Sequence, residues 1–168
     1  MNGEAEDTGP SEPDAVLHRR LAVELFNRAW LLLEREPRTA AEDVELLHVA
    51  HASRLHWQDA GGTAAHLARG EWLCGRVYAV LGHAEAALRH AGQALALVDE
   101  GGAGFADWDR AAALQGMAHA SLAAGDTAAA RDWAARARKE LGGVDDPEDR
   151  AVIERQLARL GLEGRSIT

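Results

Sequence analysis

The chain has little of several residue types, and each shortage excludes something. Cys74 is the only cysteine. An intramolecular disulfide and a cysteine-based zinc site are therefore both ruled out. Lys139 is the only lysine, and basic residues are outnumbered, with 18 Lys and Arg against 27 Asp and Glu and a net charge of −9. A general nucleic-acid-binding surface should be basic, so no nucleic-acid partner is expected. No apolar run approaches the length of a membrane span, and no membrane partner is expected. The first residues, Met1 to Asp14, are acidic and lack a charged-then-apolar pattern, so no secretory leader is expected and a cytoplasmic location is the default. Aromatic residues make up only 5% of the chain. No stretch alternates with the two-residue period of a strand.

What is present is alanine, punctuated by glycine. Hydrophobic residues reach 47% in 168 residues, enough for one domain with its own core. Alanine is the strongest helix former, and its small side chain lets helix axes approach. Residues 1–13 carry four acidic side chains and no basic one, and read as a disordered leader. Residues 14–161 read as a single domain and 162–168 as a frayed tail.

Seven helices follow from the periodicity and its punctuation. The first spans 14–36 and is stopped by Pro37. The second starts at a capping box, Thr39 to Glu42, and ends near 59 before Gly61-Gly62. The third runs from a Thr63 cap to 81 and the fourth over 84–100. The fifth covers 106–124, and the sixth covers 127–141 with Ala130, Ala134 and Ala137 on one side. The seventh covers 147–160 and opens with Asp146-Pro147, a cap followed by proline at the first helical position. The fold class is all-α.

Residues 68–101 carry a further pattern. Gly75 and Tyr78 fall in one helix, Gly82 in the turn, and Ala87, Ala94 and Leu95 in the next helix. This spacing resembles a tetratricopeptide repeat, a helix–turn–helix unit of about 34 residues. A second unit has Gly125 at its turn with Ala130 and Ala137 after it, though Ala118 and Ser121 stand where glycine and tyrosine would be. Ala91 replaces a large aromatic and Asp99 the closing proline. The segments 50–57, 68–72 and 76–91 also resemble a group of small bacterial helical-repeat proteins with no assigned activity. The resemblance implies a tetratricopeptide-like stack of about three antiparallel helix pairs, with the last helix as a cap.

In such a stack the first helix of each pair lines a concave groove. His66, Arg69, Leu73 and Arg76 of the third helix would then face Trp108, Gln115 and His119 of the fifth. Arginines offer forked donors to carboxylate or phosphate, and tryptophan an apolar wall. This set points to a non-catalytic interaction protein that takes a peptide, a protein partner, a second copy of itself or a small anion.

The alternative is a small-molecule or metal-dependent enzyme. Six of the eight histidines lie between His48 and His90. His51 or His56 would act as ligand or general base, with Glu71 as base or orienter. His48 and His51, three residues apart, share a helix face and could chelate a divalent transition metal. The leading reading needs no cofactor. No phosphate-binding glycine loop, HExxH or nucleophile elbow occurs in the chain. Cys74, on an apolar stripe, is expected to be a buried thiol, and Trp57 and Trp72 to be packing residues.

Overall fold

A computed structural model describes residues 11–162 and is helical throughout, with no strand among those residues. The elements are α1 (Glu12–Leu33), α2 (Ala40–Asp59), α3 (Ala64–Val80), α4 (Ala84–Glu100), α5 (Asp109–Ala123), α6 (Thr127–Leu141) and α7 (Pro147–Ala158). The bounds of α4 and α6 are those expected, because each lies between glycine turns. Gly82 and Gly125 adopt the left-handed conformation, with φ of +78° and +79°. The residue after each glycine donates its N–H back five residues, His83 to the Tyr78 carbonyl and Asp126 to the Ser121 carbonyl. Both turns thus close the preceding helix in the same way.

Three helices differ from expectation in their bounds by two residues or more. First, α1 begins at Glu12, with Ser11 as its cap and Pro13 in its first turn, so the stretch 11–13 is not part of a leader; residues 1–10 lie outside the described residues. It also ends at Leu33, several residues before Pro37, because Arg38 bonds back to the Leu32 and Arg35 carbonyls and to Asp43. Second, α5 starts at Asp109 and not at 106, because the Asp109 carboxylate accepts the Ala106 N–H and ties that stretch into a turn. Third, α7 ends at Ala158, but Leu162 is not frayed. It is 7% exposed, and its carbonyl accepts from Arg131 Nε. The rest of that tail, 163–168, lies outside the described residues.

The most extensive contacts are α3 with α4, α5 with α6 and α1 with α2; α4 with α5, α2 with α3 and α3 with α5 link these together, and α7 lies on α5 and α6. Small residues make the contacts between helices. Ala79, Ala87, Ala91 and Ala120 form one buried cluster with hardly a branched side chain in it. Ala130, Ala134 and Ala137 are fully buried beneath Leu114, Ile153 and Leu157. The third cluster holds the larger groups, including Leu46, Leu73, Val77 and Trp72. Cys74 is 1% exposed within it, and burial pushes its thiol up to about 12, so it is the inert thiol expected.

Gly75 sets the α3–α4 spacing. A Cβ at this position would lie 3.0 Å from the Ala91 nitrogen and 3.3 Å from the Ala87 carbonyl oxygen, both backbone atoms of α4. Gly92, on the same helix, faces open space within 4 Å. The two glycines therefore respond oppositely to alanine. Gly75→Ala forces two helices apart and should cost about 1–3 kcal/mol. Gly92→Ala removes only backbone freedom and should gain about 0.5–1 kcal/mol. Denaturant titration of both variants checks this. Equal effects of one sign would show that the α3–α4 approach is not set by Gly75.

Candidate functional site

The inward side of α3 carries Arg69, Trp72 and Arg76, spaced by three and four residues and therefore on one face. Between that face and α1, α5 and α7 lies a cavity of about 220 Å³. Phe26 and Trp30 of α1 form one wall, with Ala68, Arg69 and Trp72 of α3 beside them. Ala94 and Val98 of α4 close it below; Trp108, Asp109, Ala112 and Ala113 face it from the start of α5. Asp149, Val152, Ile153 and Gln156 of α7 complete it. Trp72 reaches this position because Gly116 makes room: a Cβ there would fall 2.8 Å from the indole Cδ1. Trp30 and Trp72 meet at 5.8 Å between ring centres. A void of roughly 150 Å³ lined by apolar groups accepts a benzene ring, so this one has room for a single ring or branched chain.

Arg69, Asp109, Asp149 and Gln156 are the polar groups that line the cavity; Arg76 and Gln115 touch it only through Trp30 and Trp72, and these groups differ sharply in how they are partnered. Arg69 makes a forked pair with Asp109, Nε to Oδ1 at 2.8 Å and Nη2 to Oδ2 at 2.7 Å, and lies over the Trp108 ring at 4.6 Å. Asp109 is only 4% exposed, so this pair is internal architecture. Arg76 has no such partner. Its Nε–H is buried with no acceptor among the described residues. The guanidinium lies over Trp30 at 5.1 Å and Trp72 at 5.8 Å. Burial, and behind it the positive charge of Arg159, pushes Arg76 down to about 10. His119, across from it on α5, is held down at about 4 by burial and by Arg76, so its ring is neutral at pH 7. Its Nδ1 is buried and unpartnered, as are Gln115 Nε2 and Gln156 Oε1. The Gln115 oxygen accepts from Trp72 Nε1 at 3.3 Å, which fixes the amide and leaves its N–H groups as donors.

Of the six residues expected in the groove, Arg69 and Trp108 line the cavity; Gln115 bonds to Trp72, Arg76 lies over Trp30 and Trp72, and His119 is near Arg76, but none of these three is part of the lining. His66 does not line it either. Its Nδ1 accepts the Thr63 N–H at 3.1 Å in a capping box, and its ring stacks on Trp57 at 3.9 Å. An imidazole three residues past a threonine cap reaches back to the helix start, and that local bond wins over the groove. Trp57 is accordingly a half-buried stacking partner for His66, while Trp72 is buried and lines the cavity.

The residues of the alternative enzyme reading separate into two clusters. His51 contacts Tyr78, Nε2 to Oη at 3.0 Å, with the His90 ring 5.3 Å away. Glu71 accepts from Arg54 Nε at 2.8 Å and contacts His90 Nδ1 at 2.7 Å, so both its oxygens are engaged. Burial acts to raise the Glu71 carboxyl, but His90 and Arg54 outweigh it and hold the carboxyl below its ordinary value. It stays ionised and is poorly suited to act as a proton donor or base. His56 lies elsewhere, beside His18 and Asp59. His48 is exposed, and neither it nor His51 belongs to a three-ligand grouping among the described residues.

Sequence reasoning missed Phe26, Trp30, Asp149, Val152, Ile153 and Gln156 as cavity residues. They reach the cavity through the docking of α1 and α7 as whole helices, which no local spacing encodes. Compared with known proteins, the chain matches no family model, no curated protein and no solved structure.

His119 gives a pH signature. Its folded value of about 4 lies below its ordinary 6.5, so the unfolded chain takes up the proton first. Stability should therefore fall as pH drops from about 6.5 to 4, by up to about 3 kcal/mol from this residue. In His119→Gln that part of the slope should vanish, as read by urea titrations across the range. An unchanged slope would show that His119 is not buried neutral.

Proposed function

We propose that this is a non-catalytic helical-repeat binding protein. In this reading α1–α2, α3–α4 and α5–α6 are three stacked pairs of tetratricopeptide-like kind, α7 is the cap, and the inner face captures a partner. The ligand is an apolar group bearing a carboxylate or phosphate, either the end of a peptide or protein or a small acid. A cytoplasmic setting, where the lone thiol stays reduced, belongs to the same reading.

One observation carries it: a guanidinium buried over two tryptophans with no counter-ion among the described residues. An unpaired buried charge costs several kcal/mol, and chains tolerate that cost where an incoming group of opposite charge repays it. The unpartnered donor on Gln115 points to the same chemistry, and His119 Nδ1 adds a neutral imidazole nitrogen able to donate or accept. The cavity volume limits the apolar part to one ring or branched chain, against an extended peptide lying in the groove.

Tryptophan fluorescence tests this directly, because Trp30, Trp72 and Trp108 line the cavity. Short peptides ending in phenylalanine or leucine with a free carboxylate, and 3-phenylpropionate as the small acid, should bind; their amides should bind at least about tenfold more weakly, the share of one charge-assisted contact. Arg76→Met should abolish the difference between acid and amide while leaving the fold as stable or more so. Arg69→Ala should instead cost about 3 kcal/mol of stability, because it strands the Asp109 carboxylate. Equal affinity for acid and amide, or undiminished binding in folded Arg76→Met, would overturn the reading.

A further inference from the structure

At the opposite edge of the α1–α2 pair, away from the cavity, three metal-ligating groups meet. His18 lies in the first half of α1; His56 and Asp59 lie in the last turn of α2, three residues apart and so on one face. His18 Nδ1 is 2.8 Å from His56 Nδ1 and 3.6 Å from Asp59 Oδ2. One ligand atom from each lies within 4.8 Å of the other two, and all three residues are half-buried.

We propose that His18, His56 and Asp59 bind a divalent transition ion of the zinc class. Nothing in this proposal depends on what the cavity binds. Two neutral imidazoles can share one hydrogen bond here, with one nitrogen donating and the other accepting. That arrangement leaves the Asp59 carboxylate uncompensated. No arginine or lysine pairs with Asp59 among the described residues; its one ion-pair partner is His18. It also sits in the last turn of α2, where the unpaired carbonyls already concentrate negative potential and a carboxylate is disfavoured. A cation answers both problems, and two imidazoles with one carboxylate make a familiar ligand set for such an ion.

The distances fit. Ligand bonds of about 2.0–2.1 Å in a tetrahedron place ligand atoms roughly 3.3 Å apart. The observed 2.8 Å and 3.6 Å bracket that separation, and the His56 and Asp59 ligand atoms lie within 4.8 Å of each other, so side-chain rotation can close the site. Binding through both Nδ1 atoms requires both ring protons on Nε2. The imidazole that donates in the empty pair moves its proton from Nδ1 to Nε2, and no net proton is released. Three protein ligands leave a fourth position for water or a further ligand, which is the layout of an open site.

The test uses the full chain, stripped with chelator and titrated with zinc against a chromophoric competitor. About one zinc per chain should bind at micromolar concentration, and magnesium should not compete. His18→Asn, His56→Asn and Asp59→Asn should each weaken binding at least about tenfold. The His48→Asn/His51→Asn double variant should bind as the parent does. Cobalt substituted into the unmodified protein should give the visible absorption of a four-coordinate site, a readout that no variant's folding can confound. Absence of zinc binding, affinity unchanged in all three single variants, or loss confined to the His48/His51 double variant would each overturn the proposal.

Discussion

The contact of α3 with α4 at Gly75 is the constraint on which the rest depends. With no side chain there, the backbone of α4 comes to within van der Waals reach of α3. Alanines continue that close contact through Ala79, Ala87 and Ala91 and on to Ala120 of α5. Alanine buries little apolar area, so these layers contribute by proximity and dispersion more than by bulk. The chain has few aromatic side chains, and three of its five tryptophans converge on one cavity. Small residues make the closest helix contacts, and most of the tryptophans line the space between the helices.

The two arginines on the inward face of α3 are partnered in opposite ways. Arg69 and Arg76 lie two turns apart on the same face of α3, yet one is neutralised by a buried carboxylate and the other lies over two ring faces with no ion pair among the described residues. A designer seeking stability alone would replace Arg76 with an apolar residue of similar length. In the reading proposed above, the charge is kept in so dry a place as stored attraction for an anion. The same contrast separates Glu71, whose two oxygens are fully engaged, from the unpartnered donor on Gln115.

Much of this was legible in the sequence. Capping residues and glycine turns locate the helices because those signals are local: the Thr39–Glu42 box forms as spacing implies, and Asp146 caps α7. Arg69 and Trp108 could be grouped because helical periodicity puts them on facing sides of α3 and the start of α5. His66 was misplaced because a side-chain-to-backbone bond at the helix start competes with any longer-range role. The α1 and α7 walls of the cavity, and the meeting of His18 with His56, depend on inter-helix register. Register is set by the sum of many alanine contacts and leaves no mark at any single position.

The most direct measurement is the side-chain Nε–H resonance of Arg76 in a nitrogen-15 NMR spectrum, followed as 3-phenylpropionate is added and compared with 3-phenylpropanamide. The account predicts that the acid moves this resonance downfield and slows its exchange with water, while the amide leaves it nearly unmoved. A resonance indifferent to both, or moved equally by both, would contradict the assignment of Arg76 as the anchor of an anion-binding cavity.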